Sequence, residues 1–389
     1  MDSDFIRCLI ITAQSSFLKD VNPFLALSHE TWDEEQMWAA VKDLKHGPMQ
    51  RTRLMYAAKT GNIVRLRWLL ARGARLELKD LWGKTPLSYA CQYGRLEIVR
   101  ELITHGALVD SSEMPIHMAC ENGHIEVVRE LFDHGAVSNI HALCGASRNS
   151  HLEVVRYLIA HGAQLDQKDK LGQTALAHAC KFANLEIICL LIAHGASVNT
   201  GGMFSPLYEA CISGDVRIVQ ELFAHGAVVN DFGILYSACE KGVVEVVREL
   251  LAHDAHLVLT DQDQYRETPL HLAINFGHLE VVRELLSRGA FLDTTNWHDE
   301  TPLCSASYNG NLEIVQLLLA AGADINTFPS PLYFACEQGY LNIVQELIQH
   351  GADVNLGHYN FGANTNPLKV ARQNRHMDVV LLLTQNGAI

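Results

Sequence analysis

Residues 301 to 323 read TPLCSASYNGNLEIVQLLLAAGA, and this stretch decides the fold. Thr301 is placed as an N-cap, because its hydroxyl can accept from an orphan amide of the first turn. Pro302 falls at the first helical position, where the missing N–H removes no bond. Leu303 and Ala306 are three apart and share one helical face. Gly310 ends the first helix. Leu312, Ile314, Val315, Leu318 and Leu319 give a second helix an apolar stripe, and Gly322 closes it in the left-handed conformation. One such pair of helices cannot bury its own apolar faces, so it must stack on copies of itself.

The copies are there. Hydrophobic anchors stand at Leu54, Leu87, Ile116, Leu143, Leu176, Leu207, Leu235, Leu270, Leu303, Leu332 and Leu368. Closing positions stand at Gly73, Gly106, Gly135, Gly162, Gly195, Gly226, Asp254, Gly289, Gly322, Gly351 and Gly387, each 19 residues after its anchor. From closer to next anchor the distance varies, as 14, 10, 8, 14, 12, 9, 16, 14, 10 and 17. The cap-plus-proline pair recurs as Thr85-Pro86, Ser205-Pro206, Thr268-Pro269, Ser330-Pro331 and Asn366-Pro367. A small alanine three residues after each anchor, from Ala57 to Ala371, lets neighbouring helices approach closely. The pattern predicts an all-α repeat solenoid over residues 51–389, monomeric and extended, since modules that touch only their neighbours do not close into a globule. Connectors that vary along one edge point to binding there.

These residues resemble the ankyrin repeat, whose signature stands here as TPLHLAINFGHLEVVRELLSRGA from Thr268 to Ala290. The resemblance covers roughly residues 51 to 389. It implies stacked helix pairs of ankyrin type joined by projecting β-hairpin fingers, here of variable length. It also implies protein binding through the concave groove and the fingers. Three departures matter. Ser150, Ala183 and Arg375 replace the glycine between the two helices; Asp254 replaces the closing glycine; connectors of 8 to 10 residues are too short for a complete finger. Irregular twist is therefore expected around residues 108–115, 137–142, 228–234 and 324–331.

The apolar fraction of 48% is ample for a continuous core. No apolar run approaches the roughly 18 residues that a membrane helix needs, and Cys8 to Ile11 is too short for a secretory signal. The expected place is therefore intracellular, cytoplasmic or nuclear. Of ten cysteines, six occupy one repeat position: Cys91, Cys120, Cys180, Cys211, Cys239 and Cys336. Equivalent positions in stacked helices lie ~8–10 Å apart, whereas a disulfide needs α-carbons within roughly 7 Å. The ladder reads as buried thiols acting as small hydrophobes, which suits a reducing compartment. There is no C-x-x-C pair to suggest zinc, and no cofactor is expected. Of the 20 histidines, His105, His134, His161, His194, His225, His253 and His350 directly precede a helix closer. There an imidazole can bond the last free carbonyls. From the resemblance, His117 and His271 at the TPLH position are expected to cap or brace.

The net charge is −14, but residues 51–80 carry an excess of +6, which leaves −20 for the rest. An acid-rich array disfavours nucleic acid and anionic membranes and favours partners with basic surfaces. Residues 1–50 do not match the repeat. Thr31 and Glu34 form a capping box ahead of a helix running to about Lys45, suited to a helical N-terminal cap or a docking motif.

No dinucleotide fingerprint, P-loop, H-E-x-x-H or G-x-S-x-G occurs. The expectation is a non-catalytic protein-binding scaffold. The alternative is a substrate-recruiting adaptor of a protein-modifying assembly, with residues 1–50 docking the enzyme. Because aromatics and Arg dominate interface hot spots, the expected partner-binding residues are Trp297, Tyr265, Arg266, His298, Phe276, Tyr308, Trp82 and Tyr93. Phe182, Phe232, Tyr359 and Phe361 are further aromatics at equivalent places. The successive full connectors at 256–269 and 291–302 should form two adjacent fingers. Asp261, Asp263, Asp299 and Glu300 would rim them, which favours a partner segment with basic and apolar residues.

Overall fold

The computed structural model describes residues 43, 45, 50–110, 114–200, 204–229, 232–253, 262, 263, 265–360 and 363–389. The expected helix at 31–45, apart from residues 43 and 45, and the closer Asp254 lie outside the described residues. So do Tyr359 and Phe361 as side chains, and Phe232 with them.

Among the described residues twenty-two helices follow one another in pairs. They are α1 (Arg53–Thr60), α2 (Ile63–Ala71), α3 (Pro86–Gln92), α4 (Leu96–Thr104), α5 (Met114–Glu121), α6 (Ile125–Asp133), α7 (Ile140–Arg148) and α8 (Leu152–Ala160). Then come α9 (Ala175–Lys181), α10 (Leu185–Ala193), α11 (Pro206–Ser213), α12 (Val216–Ala224), α13 (Phe232–Lys241), α14 (Val244–Ala252), α15 (Pro269–Asn275) and α16 (Leu279–Ser287). The last are α17 (Pro302–Asn309), α18 (Leu312–Ala320), α19 (Pro331–Gln338), α20 (Leu341–Gln349), α21 (Pro367–Gln373) and α22 (Met377–Gln385). Two compact units arise, one of residues 1–90 with 97–108, the other of residues 91–96 with 109–389.

In the larger unit the first helices of the pairs pack in sequence order from α5 to α21, and the second helices from α6 to α22. Every anchor from Leu54 to Leu368 is buried, and so is every small alanine from Ala57 to Ala371. The module closes as its residues dictate. Thr301 Oγ1 accepts from Cys304 N–H at 3.4 Å, which starts α17. Gly322 has φ 92°, and its N–H bonds Leu319 C=O while Ala323 N–H bonds Leu318 C=O. Ser330 is the exception among the expected caps, since its side chain makes no capping bond.

The substituted inter-helix positions keep the glycine geometry. Ser150, Ala183 and Arg375 have φ of 63°, 56° and 64°. The turn between the helices therefore imposes the left-handed backbone whatever the residue, at a cost of roughly 1–2 kcal/mol where it is not glycine.

The cysteine ladder is buried and unpaired, as are Cys144 and Cys304; Cys189 is the exposed thiol among the described residues. Burial raises the Cys91, Cys120, Cys180, Cys211, Cys239 and Cys336 thiols. Thiol titration of the native protein should accordingly find Cys189 and at most one more group, and all ten cysteines after denaturation. Six or more fast-reacting thiols in the native protein would contradict the packing.

Five of the seven histidines before a closer bond the carbonyl four residues back through Nδ1–H. These are His105 to Glu101, His134 to Glu130, His161 to Tyr157, His225 to Glu221 and His350 to Glu346, at 2.8–2.9 Å. His271 does something different. Its Nδ1 accepts from Thr268 N–H at 3.2 Å, and its Nε2–H donates to Glu300 C=O at 3.3 Å. One neutral ring thus caps its own helix and braces the next connector. Burial lowers its pKa to about 4. The unfolded chain titrates this ring near 6.5, so its contribution is complete above that value and is lost as pH falls toward 4. At pH 5 the loss is on the order of 2 kcal/mol. His271→Ser, with the residue that Ser88 supplies at the same place, should lose less stability than the wild type between pH 7 and pH 5 in urea melts. Equal losses would show that this ring is not the titrating group.

Candidate partner-binding surface

The long connectors share a local recipe. In four of them an Asp or Asn opens a five-residue turn, and its side-chain oxygen accepts the N–H groups two and four residues on. Asp80 takes Trp82 and Lys84, Asp169 takes Leu171 and Gln173, Asp263 takes Tyr265 and Glu267, and Asn296 takes His298 and Glu300, at 2.8–3.1 Å. This is the local hydrogen bonding for which Asp and Asn are favoured in turns. The fourth residue is left-handed in all four: Gly83 (φ 76°), Gly172 (81°), Arg266 (55°) and Asp299 (59°). The connector at 353–367 instead forms a strand pair, β1 (His358–Asn360) with β2 (Ala363–Thr365), antiparallel with Tyr359 opposite Asn364. The short connector after Gly135 has no tip, because Asn139 already caps α7 through Ala142 N–H.

Of the expected fingers at 256–269 and 291–302, residues 256–261, with Asp261, and residue 264 lie outside the described residues, and the turns at 263–267 and 296–300 are joined tip to tip. Trp297 N–H donates to Tyr265 C=O at 3.1 Å. The Tyr265 and Trp297 rings meet edge to face with centroids 6.2 Å apart, yet they remain 55% and 64% exposed. Arg266 Nη1 lies 3.9 Å from Asp299 Oδ1, with both side chains open to solvent. An exposed pair of this kind contributes about 0–1 kcal/mol. A non-glycine residue in the left-handed region costs roughly 1–2 kcal/mol, and Arg, unlike Asp, has no short polar side chain to ease it. His298 is exposed beside them and carries the turn through its N–H.

Asp263, Glu267, Asp299 and Glu300 stand on the same two turns. Glu267 is half-buried, and burial raises its pKa, with Asp263 and Glu300 adding negative charge. Glu267 Oε1 accepts from Asn275 Nδ2 at 2.9 Å, and Asn275 Oδ1 accepts from Asn309 Nδ2 at 3.2 Å. This amide bridge runs from the finger stem to the ends of α15 and α17, where Phe276 and Tyr308 are exposed. Those two rings pack with other neighbours: Phe276 lies parallel to His278 at 6.2 Å, and Tyr308 meets Phe334 edge-on at 6.1 Å.

Trp82 is exposed on the turn opened by Asp80, with Lys84 Nζ 5.8 Å from its ring centroid. Tyr93 is exposed just after α3, as Phe182 is just after α9. Leu81 and Leu171, also exposed on turn tips, were not expected; the signal for them was Asp-x-x-Gly a few residues before a helix cap. A second histidine series was also missed. His124, His151, His278 and His376 precede second helices, and each donates Nε2–H across to the preceding repeat, at Gln92, Glu121, Glu240 and Glu337 C=O.

Among the described residues no group of three or more His, Cys, Asp or Glu is placed to hold a metal ion, and no helix is long and apolar enough to cross a membrane. The family model described as ankyrin repeats (3 copies) matches residues 38–113, 54–142, 117–202, 143–233, 235–329 and 327–389. A mouse protein named 2-5A-dependent ribonuclease is 46% identical over 55 residues, which is 14% of this chain and 8% of that relative.

Proposed function

This chain belongs to the ankyrin-repeat family, a family of protein-binding modules, and we propose that it is a non-catalytic scaffold that binds a partner protein at the two joined fingers. The observation that carries the reading is the exposed Tyr265–Trp297 pair held between adjacent tips, with Phe276 and Tyr308 at the helix ends below. Large exposed aromatics are costly to leave in water and are the residues that dominate interface energetics. The carboxylates of Asp263, Glu267, Asp299 and Glu300 select a segment with basic and apolar residues, since like charge beside them is repelled. The ribonuclease relative bears on the repeat alone, because so little of it is matched.

A photo-crosslinking phenylalanine analogue at position 265 tests the reading in native lysate. Covalent protein adducts are expected from position 265 and not from Glu186, exposed on the outer face of α10. Adducts of equal yield from both places, or none from position 265, would contradict it.

A further inference from the structure

We propose that Arg266 and Asp299 are positioning residues, a clasp that holds the Tyr265 and Trp297 rings in one fixed arrangement at the cost of backbone strain. At the same turn position the other tips carry Gly83 and Gly172, which take the left-handed backbone freely. Here an arginine and an aspartate occupy it, at φ 55° and 59°, on the two tips that touch. Their side chains reach across to each other, 3.9 Å apart and open to solvent. The exposed ion pair returns less than the strain takes, so the two residues do not serve stability. What they add is a second tie between the tips, beside the Trp297 N–H to Tyr265 C=O bond and the edge-to-face rings. With three ties the aromatic edge loses little freedom when a partner docks, which is how a rigid surface gains affinity. The role rests on reading this edge as the docking surface.

The test needs no partner. The 389-residue chain is labelled with 5-fluorotryptophan, and the Trp297 fluorine resonance is assigned by its absence in Trp297→Phe. In the double variant Arg266→Gly with Asp299→Gly the resonance should broaden or split, while the melting midpoint stays level or rises by about 2 °C. A merely stabilising pair would lower the midpoint. An unaltered Trp297 resonance, or a lowered midpoint, overturns the clasp. The docking reading itself fails on different ground, in the partner affinity of the Tyr265 and Trp297 variants.

Discussion

Leu303→Ala should destabilise the protein by roughly 2–5 kcal/mol, the range for emptying a buried leucine site. Leu303 is fully buried at the start of α17, which packs between α15 and α19. Its helix packs against its own second helix α18 as well as the first helices on either side. The close approach set by Ala306 leaves those helices little room to collapse. The cavity therefore persists, which places the cost toward the upper part of the range. Thr301→Ala, two residues earlier, removes the acceptor of Cys304 N–H and should cost only about 1 kcal/mol. Urea melts of the two variants should rank in that order. An unchanged melt for Leu303→Ala would show that the inward face of the module is misassigned.

That inward face was legible because it is written within one module. Anchor, small alanine, N-cap and closing glycine act over three to twenty residues, and each is a local requirement of helix geometry. The imidazole bonds to carbonyls four residues back were legible for the same reason. What the sequence hid are requirements that span two modules. A Cβ on Gly94, Gly123, Gly242 or Gly339 would come within 2.6 Å of the His124, His151, His278 or His376 ring of the next repeat. These glycines thus leave room for a neighbour's histidine as well as supplying a left-handed turn. Where Ser150 stands in place of glycine, the next repeat offers the smaller Asn184, whose Nδ2 still reaches Ser147 C=O at 2.6 Å. The compensation is invisible until the repeats are laid side by side.

The candidate surface divides along the same line. The exposure of the aromatics followed from spacing, and the adjacency of the turns at 263–267 and 296–300 from their order in the stack. The tip-to-tip bond between Trp297 and Tyr265 could not be read, because it depends on the turn that Asp263 and Asn296 each close. Phe276 and Tyr308 are exposed as expected, and each packs against its own neighbour, His278 and Phe334.

The most direct measurement is the affinity of a captured partner for the wild type and for the double variant Tyr265→Ala with Trp297→Ala. Both rings are more than half exposed, so their loss should leave helical content and the melt close to the wild type. Their removal strips the tips of the groups that a basic and apolar segment would cover, and with them the attraction of a cation to the aromatic faces. Truncating hot spots of this kind costs about 2 kcal/mol or more, a weakening of about 30-fold. Titration calorimetry with the purified partner should show that loss with circular dichroism unaltered. Native affinity in the double variant would contradict the account, because the joined fingers would then not be where the partner binds.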